Sequence, residues 1–339
     1  MTRHESFSAS HLRGVGYPPI TAGLTFPPKV SPVQRLLAAL RSYFAVSHRR
    51  RTRVIKAVPA PVTSQSGAGP LGRFAWALKA GLCSEAGPHR VCNEDSCYAN
   101  TRDGIVLVAD GIGGHEGGAL ASQILVDCVP AQLIPQLRGT LTSLELASVV
   151  SESIQMARES MALAAQRNPH LIEMGSTLVL GILAGDSLYL THLGDSRAYV
   201  VRGDTMYQIT SDHTLVQAMV DAGDLDSRVA QRHRLRHIIL EFVGTKPRSG
   251  GVVLREFRLQ AHDRLLFATD GLTDVVDPEF LHTTIDTEDD PQGAAERLVD
   301  QALQLDTKDN VSCVVVHVVT TPSDPVHTAS ESVVASTVT

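Results

Sequence analysis

Four aspartates of this chain stand where a short apolar run ends or begins: Asp110 in IVLVADGIGG, Asp195 in LYLTHLGDSR, Asp270 in RLLFATDGL and Asp309 in TKDNVSCVVV. Short runs rich in Val, Leu, Ile and Phe, bounded by turn residues, read as strands of a packed sheet. A carboxylate is a poor strand residue and is costly to bury. A fold that carries four such strand ends inward therefore has to supply positive partners, and the simplest supply is a set of shared divalent cations.

The same reading marks strands over Phe74–Leu82, Ile105–Ala109, Ser176–Leu183, Ser187–Leu193, Ala198–Arg202, Val252–Leu259, Arg264–Ala268 and Val311–Val319. The polar turns Ala184-Gly185-Asp186 and Arg202-Gly203-Asp204 join neighbouring strands as antiparallel hairpins. Helical periodicity fills the spaces between. Thr142-Ser143-Leu144-Glu145 is a capping box that opens a helix running to about Arg167, with Leu146, Val149, Val150, Ile154, Ala157, Met161 and Ala164 recurring at helical spacing. A second helix is expected after Gly118, and a third from Asp290-Pro291 through Ala294, Leu298 and Leu303. Strands at both ends with helices between them favour an antiparallel sheet sandwich covered by helices over a repeating parallel βαβ order.

Charge divides the chain. Residues 1–80 hold twelve Lys/Arg against Glu5 alone, so the remainder must be near −17 to reach the total of −6. An acidic body of this kind cannot bind nucleic acid over a broad face. Residues 1–72 read as a basic arm without a core of its own, in which VQRLLAALRSYFAV has the pattern of one amphipathic helix; the arm is either a disordered lead-in or a device for docking on an anionic surface. Residues 321–339 read as a disordered tail. Five cysteines with no CxxC pair fit a reduced, cytoplasmic setting. Neither a signal peptide nor an integral membrane span is expected.

The segment VLVADGIGGHEGGALASQILVD admits two readings. Gly111, Gly113 and Gly117 approximate a dinucleotide-binding turn, with Asp127 near the distance of a ribose contact, but the spacing carries one residue too many. Asp110 would also face the pyrophosphate. As a metal site the same residues are coherent: Asp110 is a hard anionic ligand and Gly111 offers a carbonyl. Here the sequence resembles the metal-dependent serine/threonine protein phosphatases of type 2C, in their bacterial form. The resemblance is carried by Arg90 with Asn93-Glu94-Asp95, Asp110-Gly111-Ile112-Gly113-Gly114-His115, Gly175-Ser176-Thr177, Gly194-Asp195-Ser196-Arg197, Asp270-Gly271-Leu272-Thr273-Asp274 and Lys308-Asp309-Asn310. It covers residues 74–320, within a domain taken as 73–320, with six motifs in the family's order.

That resemblance implies an α+β fold, a four-layer α-β-β-α sandwich of two antiparallel sheets flanked by helices. It implies hydrolysis of phosphoserine and phosphothreonine in proteins by water activated between two Mn²⁺ or Mg²⁺ ions, with no covalent phosphoenzyme. Asp110 would bridge the ions, the Gly111 carbonyl would bind one, and Asp270 and Asp309 would complete the other. Asp195 would hold a third ion, and Glu94 and Asp95 would stand behind the ligands or reach the metal through water. Arg90 would clamp the phosphate, its planar fork matching two phosphate oxygens. Implied partners are phosphoproteins and an opposing Ser/Thr kinase, with the chain acting as a monomer. Residues 211–250, including the basic run Arg232–His237, correspond to the family's flap.

Two departures stand out. Ile112 occupies the place where many eukaryotic members have a histidine proposed as general acid, which leaves water on the metals, His115, His192 or His213 for that role. Ala119 follows Gly118 where bacterial relatives often have Glu. A catalytically silent phosphoprotein-binding module of the same fold would lack a ligand, and Asp110, Asp270 and Asp309 are all present. The motifs leave open a phosphatase dedicated to one regulator, such as an anti-sigma-antagonist protein.

Overall fold

The computed structural model describes residues 76–139, 141–245 and 252–320, without the side chain of His115. The arm 1–72, with the amphipathic helix expected in it, and the tail 321–339 lie outside the described residues. The described residues belong to two compact units, a body and the segment His213–Leu240.

The strands of the body are β1 (Ala77–Glu85), β2 (Asp95–Asn100), β3 (Ile105–Ile112), β4 (Gly175–Ser176), β5 (Leu178–Ala184), β6 (Ser187–Leu193), β7 (Arg197–Arg202), β8 (Thr205–Gln208), β9 (Val243–Gly244), β10 (Arg255–Arg258), β11 (Arg264–Ala268) and β12 (Val311–Val319). One sheet has the order β1-β12-β11-β7-β8; the other runs β10-β6-β5-β3-β4-β9, with β2 on β3. All their pairings are antiparallel. Four helices cover the sheets: α1 (His115–Leu137) and α2 (Ser143–Arg167) on one side, and α6 (Pro278–Thr287) and α7 (Pro291–Gln304) on the other.

Period-two alternation builds these layers. On β3, Ile105, Leu107 and Ala109 face α1 and α2, whereas Val106 and Val108 face the other sheet. On β12, Val314, Val316 and Val318 meet them across the sandwich while Val311, Cys313 and Val315 pack under α6 and α7. The result is helix, sheet, sheet, helix, the architecture expected from the sequence.

Several strand expectations need correction. The first strand runs three residues further than expected, to Glu85, and the one expected over Ile105–Ala109 runs on to Ile112; the tenth is limited to Arg255–Arg258; the run Ser176–Leu183 is broken at Thr177; and β2, β8 and β9 were not among the expected strands. The capping box at Thr142 forms as expected, with the Thr142 hydroxyl accepting from the Glu145 amide and the Glu145 carboxylate accepting from the Thr142 amide at 2.7 Å. α1 starts at His115, three residues before Gly118. It is long and apolar enough to cross a membrane by length and composition alone, yet its Ala121, Leu125, Val129 and Leu133 are wholly buried against β3 and α2.

The segment His213–Leu240 holds α3 (Leu215–Ala222) and α4 (Ser227–Ala230). Thr214 caps α3 by accepting from the Gln217 amide, and Gly223 ends it in the left-handed conformation at φ 81°. Its two ends are tied by backbone hydrogen bonds, Leu215 N–H to Ile238 O at 2.9 Å and Leu240 N–H to His213 O at 2.7 Å. In the body, α5 (Asp270–Thr273) is the single turn that follows β11.

Candidate metal centre

The centre is assembled where β3, β6 and β11 end and β12 begins. Asp110 and Asp95 are cross-strand partners on β3 and β2. Thr177 explains the break in the expected strand: its hydroxyl accepts from the Asp110 amide at 2.9 Å and its own amide donates to the Asp110 carbonyl at 2.8 Å. The residue leaves the ladder to fix the backbone of Asp110. Its hydroxyl is further bonded to Ser196 Oγ at 2.7 Å.

Next along the chain, the Gly111 amide donates to the Glu94 carbonyl at 3.1 Å, and Ser122 Oγ donates to the same carbonyl. The first turn of α1 runs close over this point. A Cβ on Gly118 would lie 2.0 Å from Glu94 Oε2 and 2.9 Å from the Gly111 carbonyl oxygen, so only glycine fits there. That close approach is why glycines sit inside the helix and why composition alone misplaced its start. Glu94 and Asp95 are both buried, 5% and 7% exposed.

Asp270 opens α5. Thr269 before it donates its hydroxyl to Asp95 Oδ2 at 2.9 Å and accepts from the Ser312 amide at 3.1 Å, which ties β11, β12 and β2 into one network. Asp309 precedes β12, and its Oδ1 lies 2.6 Å from Arg90 Nη2 and accepts from the Asn310 amide at 2.8 Å. Arg90 Nε also donates to the Lys308 carbonyl at 3.1 Å. Asp195, 7% exposed, follows Gly194 at the end of β6. Two residues on, Arg197 is held by Asp212 through Nε and Nη2 at 3.0 and 2.7 Å.

Electrostatics confirm that these carboxylates share one region. Burial first, and then the charges of Asp95, Asp270, Asp195 and Asp309, push the Asp110 carboxyl well above the usual carboxylate range. Asp270 is raised in the same way, by burial and then by Asp195, Asp274, Asp309 and Asp95. Burial raises Asp95 to about 7 against the pull of hydroxyl hydrogen bonds from Ser312 and Thr269. Asp195 is also raised to about 7, by burial and then by Asp212.

The donor set tests what could fill such a place. Asp95 Oδ1, Asp195 Oδ1 and Asp270 Oδ1 are buried with no hydrogen-bond partner among the described residues. Buried carboxylate oxygens without donors are costly, and several of them together with a carbonyl form an oxygen-only set suited to hard divalent cations. The residues present fit the ions that the sequence implies.

Every site residue expected from the sequence lies in this region: Arg90, Glu94, Asp95, Asp110, Gly111, Asp195, Asp270 and Asp309. Sequence reasoning quoted Asp274 in a motif but gave it no role in the site; its charge raises both Asp270 and Asp195. Its signal was the spacing of four from Asp270, one helical turn, realised as the Asp274 N–H to Asp270 O bond of 2.8 Å. It also missed the supporting roles of Thr177, Thr269 and Asn310. Of the candidate general acids, His192 is engaged elsewhere. Its Nε2 bonds the Ser211 carbonyl at 2.9 Å, and burial lowers its pKa to about 4. His213 belongs to the separate segment, and the His115 side chain lies outside the described residues.

Asn310 gives a direct test of that support. It is 3% exposed, its Nδ2 donates to the carbonyls of Ala86 and Cys92 at 2.7 and 2.9 Å, and its Oδ1 accepts from the Glu94 amide at 2.9 Å. Three bonds, one buried and two part-buried, pin the loop that carries Arg90. Asn310→Ala leaves these groups unpaired and is expected to destabilise the fold by about 2–4 kcal/mol, measured by urea unfolding; a loss under about 0.5 kcal/mol would show that the loop is held by other means.

Comparison with known proteins converges on one family. The sequence profile described as Protein phosphatase 2C matches residues 89–304. The serine/threonine protein phosphatase PstP of Mycobacterium tuberculosis is 34% identical over 249 residues, 74% of this chain, and this chain spans 46% of the length of that relative. The serine/threonine phosphatase stp of Listeria innocua is 30% identical over 62% of this chain and 83% of its own length. The crystal structure of the M. tuberculosis phosphatase PstP/Ppp superposes with a TM-score of 0.66 at 32% identity, covering 72% of this chain and 99% of that one. A structure of the PstP catalytic domain in complex with two manganese ions aligns at a TM-score of 0.63 and 32% identity, over 72% of this chain and 99% of its own.

Proposed function

The chain belongs to the protein phosphatase 2C family, and on that premise we propose that it removes phosphate from phosphoserine and phosphothreonine in proteins with the help of two Mn²⁺ or Mg²⁺ ions. The observation that carries the reading is the set of buried aspartate oxygens left without donors in one acidic cluster. Asp110, the Gly111 carbonyl, Asp270 and Asp309 would hold the two ions, and Asp195 a third. Glu94 and Asp95 stand behind them. Divalent ions in such a site neutralise phosphoryl oxygens and lower the pKa of a bound water towards neutrality.

The chain's own residues set the geometry. Thr177 and Thr269 lock the strand ends that carry Asp110 and Asp270, so the carboxylates need no rearrangement when a substrate arrives. Arg90 spends two of its five N–H donors on Lys308 and Asp309, which leaves the rest of its fork for phosphate oxygens while the ion pair fixes its position. The substrate implies an opposing Ser/Thr kinase, and the free thiols of all five cysteines fit a cytoplasmic setting.

The test is turnover of p-nitrophenyl phosphate and of phosphoserine and phosphothreonine peptides with Mn²⁺ and with EDTA. Hydrolysis of all of them in Mn²⁺, abolished by EDTA and restored by excess Mn²⁺, is the expected result; metal-independent turnover, or turnover of the small ester with no peptide accepted, would refute the reading. Arg90→Ala should lower kcat/KM for the peptides by about 10²-fold, chiefly through KM.

A further inference from the structure

A sheet edge left unpaired is a template for another strand, and the body covers one such edge and leaves another open. At β1 the Gln292 side-chain amide takes both main-chain groups of Leu82, accepting from its N–H at 3.1 Å and donating to its carbonyl at 3.0 Å. Among the described residues β2 pairs with β3 alone. Asp110 sets the phase of that ladder, because its N–H and its carbonyl are both bonded to Thr177 on the opposite side of β3. Bonded pairs alternate along an antiparallel ladder. Ser96, Tyr98 and Asn100 therefore face β3, and the N–H and C=O groups of Cys97 and Ala99 point out of the edge, with no hydrogen-bond partner among the described residues.

The surroundings of that edge suit an extended chain. α1 flanks it, leaving a cleft of about 450 Å³ between Cys97 and Tyr98 on one side and Val126, Asp127, Pro130 and Ile134 on the other. Burial pushes the Cys97 thiol up, yet the residue as a whole is only half-buried, so the part that meets solvent is main chain. The described chain begins beside this edge: Trp76 packs against the same inner core as Cys97 and Ala99, and β1 and β2 are in contact. Upstream, outside the described residues, Val54-Ile55-Lys56-Ala57-Val58 is a run rich in β-branched residues and closed by Pro59, five residues against the six of β2. Seventeen residues, 59–75, separate it from Trp76. A flexible linker of that length has an r.m.s. span of roughly 20–25 Å, comparable to the length of β2, which holds the run at millimolar effective concentration.

We propose that residues 54–58 add to β2 as a further strand of its sheet, their main chain taking the free groups of Cys97 and Ala99. Alternation puts Val54, Lys56 and Val58 on one face. The two valines then lie against Val126, Pro130 and Ile134, and the Lys56 ammonium beside the Asp127 carboxylate, which bonds the neutral Gln123 side chain at 2.9 Å. The occupant of the cleft is thus the chain's own arm. Four main-chain hydrogen bonds of modest net strength suffice to dock a tethered segment, whereas a free peptide at micromolar concentration would stay unbound.

The experiment is amide hydrogen exchange, read residue by residue by NMR, in the full chain and in its variant Val54→Pro/Ile55→Pro. The substituted residues are adjacent, so one of them faces β2 in either register and pairing is blocked. The Cys97 and Ala99 amides are expected to exchange about tenfold faster in the variant, while those of Ser96, Tyr98 and Asn100, which face β3, keep their rates. A synthetic peptide of residues 51–60, added to the variant in millimolar excess, should restore the slow exchange. Equal exchange of the Cys97 and Ala99 amides in the two chains would overturn the proposal. Protection that rises with chain concentration would overturn it as well, by giving the edge to a second copy of the chain.

Discussion

Asp270→Asn is expected to lower Mn²⁺-dependent turnover of p-nitrophenyl phosphate by roughly 10³-fold or more at saturating metal, about 4 kcal/mol of transition-state stabilisation. The side chain opens α5 with one carboxylate oxygen buried and unbonded, surrounded by the charges of Asp195, Asp274, Asp309 and Asp95. An amide keeps its shape but not the charge that a divalent ion requires. The same crowding gives a second, opposite expectation. Because burial and neighbouring charge make an ionised Asp270 unfavourable in the metal-free fold, the uncharged variant should melt higher than the unmodified chain in EDTA. Lower activity together with a higher metal-free Tm separates loss of a ligand from loss of folding. An unchanged kcat/KM would remove Asp270 from the centre.

Metal-free stability should fall as pH rises from about 4 to 8, and Mn²⁺ should reverse that slope. Asp95 and Asp195 are displaced from 3.8 to about 7 by burial. Between those values the folded state binds more protons than the unfolded one, so stability declines as pH rises through the interval and is lowest above the folded pKa. Each displacement is equivalent to roughly 4 kcal/mol at most, within a network whose other members, Asp110 and Asp270, shift in the same direction. His192, held near 4, acts the other way: its contribution is complete above its ordinary pKa of 6.5 and is lost as pH falls towards 4. His192 is no candidate ligand, so its effect cancels when melting curves in Mn²⁺ and EDTA are compared at one pH. The Tm gained on adding Mn²⁺ should be several degrees larger at pH 8 than at pH 5. A gain independent of pH would mean that the ions bind away from these carboxylates.

Much of the architecture was legible because single elements carried complete signals. β6, β11 and β12 coincide with their apolar runs, which turn residues bound on both sides, and α2 begins at its capping box. The misreadings have physical causes. β2, with sequence DSCYAN, is short, mostly half-buried and flanked by polar residues, so it has no apolar alternation to detect; it is held by pairing with β3. Thr177 breaks a run that looks continuous because its hydroxyl and amide are required by Asp110. α1 tolerates Gly118 because the backbone of Gly111 and the Glu94 side chain lie where a Cβ would be. In each case a contact distant in sequence outweighed the local preference.

The candidate centre was legible in its carboxylates and illegible in its scaffold. Asp110, Asp195, Asp270 and Asp309 announce themselves as carboxylates at strand boundaries, an unfavourable choice unless used. Thr269 and Asn310 are ordinary residues in sequence, and their work appears only when β11, β12 and the loop before β2 are brought together.

Crystals of the chain grown with Mn²⁺, with diffraction recorded at the manganese absorption edge, examine this convergence most directly. Two strong anomalous peaks bounded by Asp110, the Gly111 carbonyl, Asp270 and Asp309 are the predicted outcome. Ordered carboxylates at those positions with no anomalous density among them would contradict it.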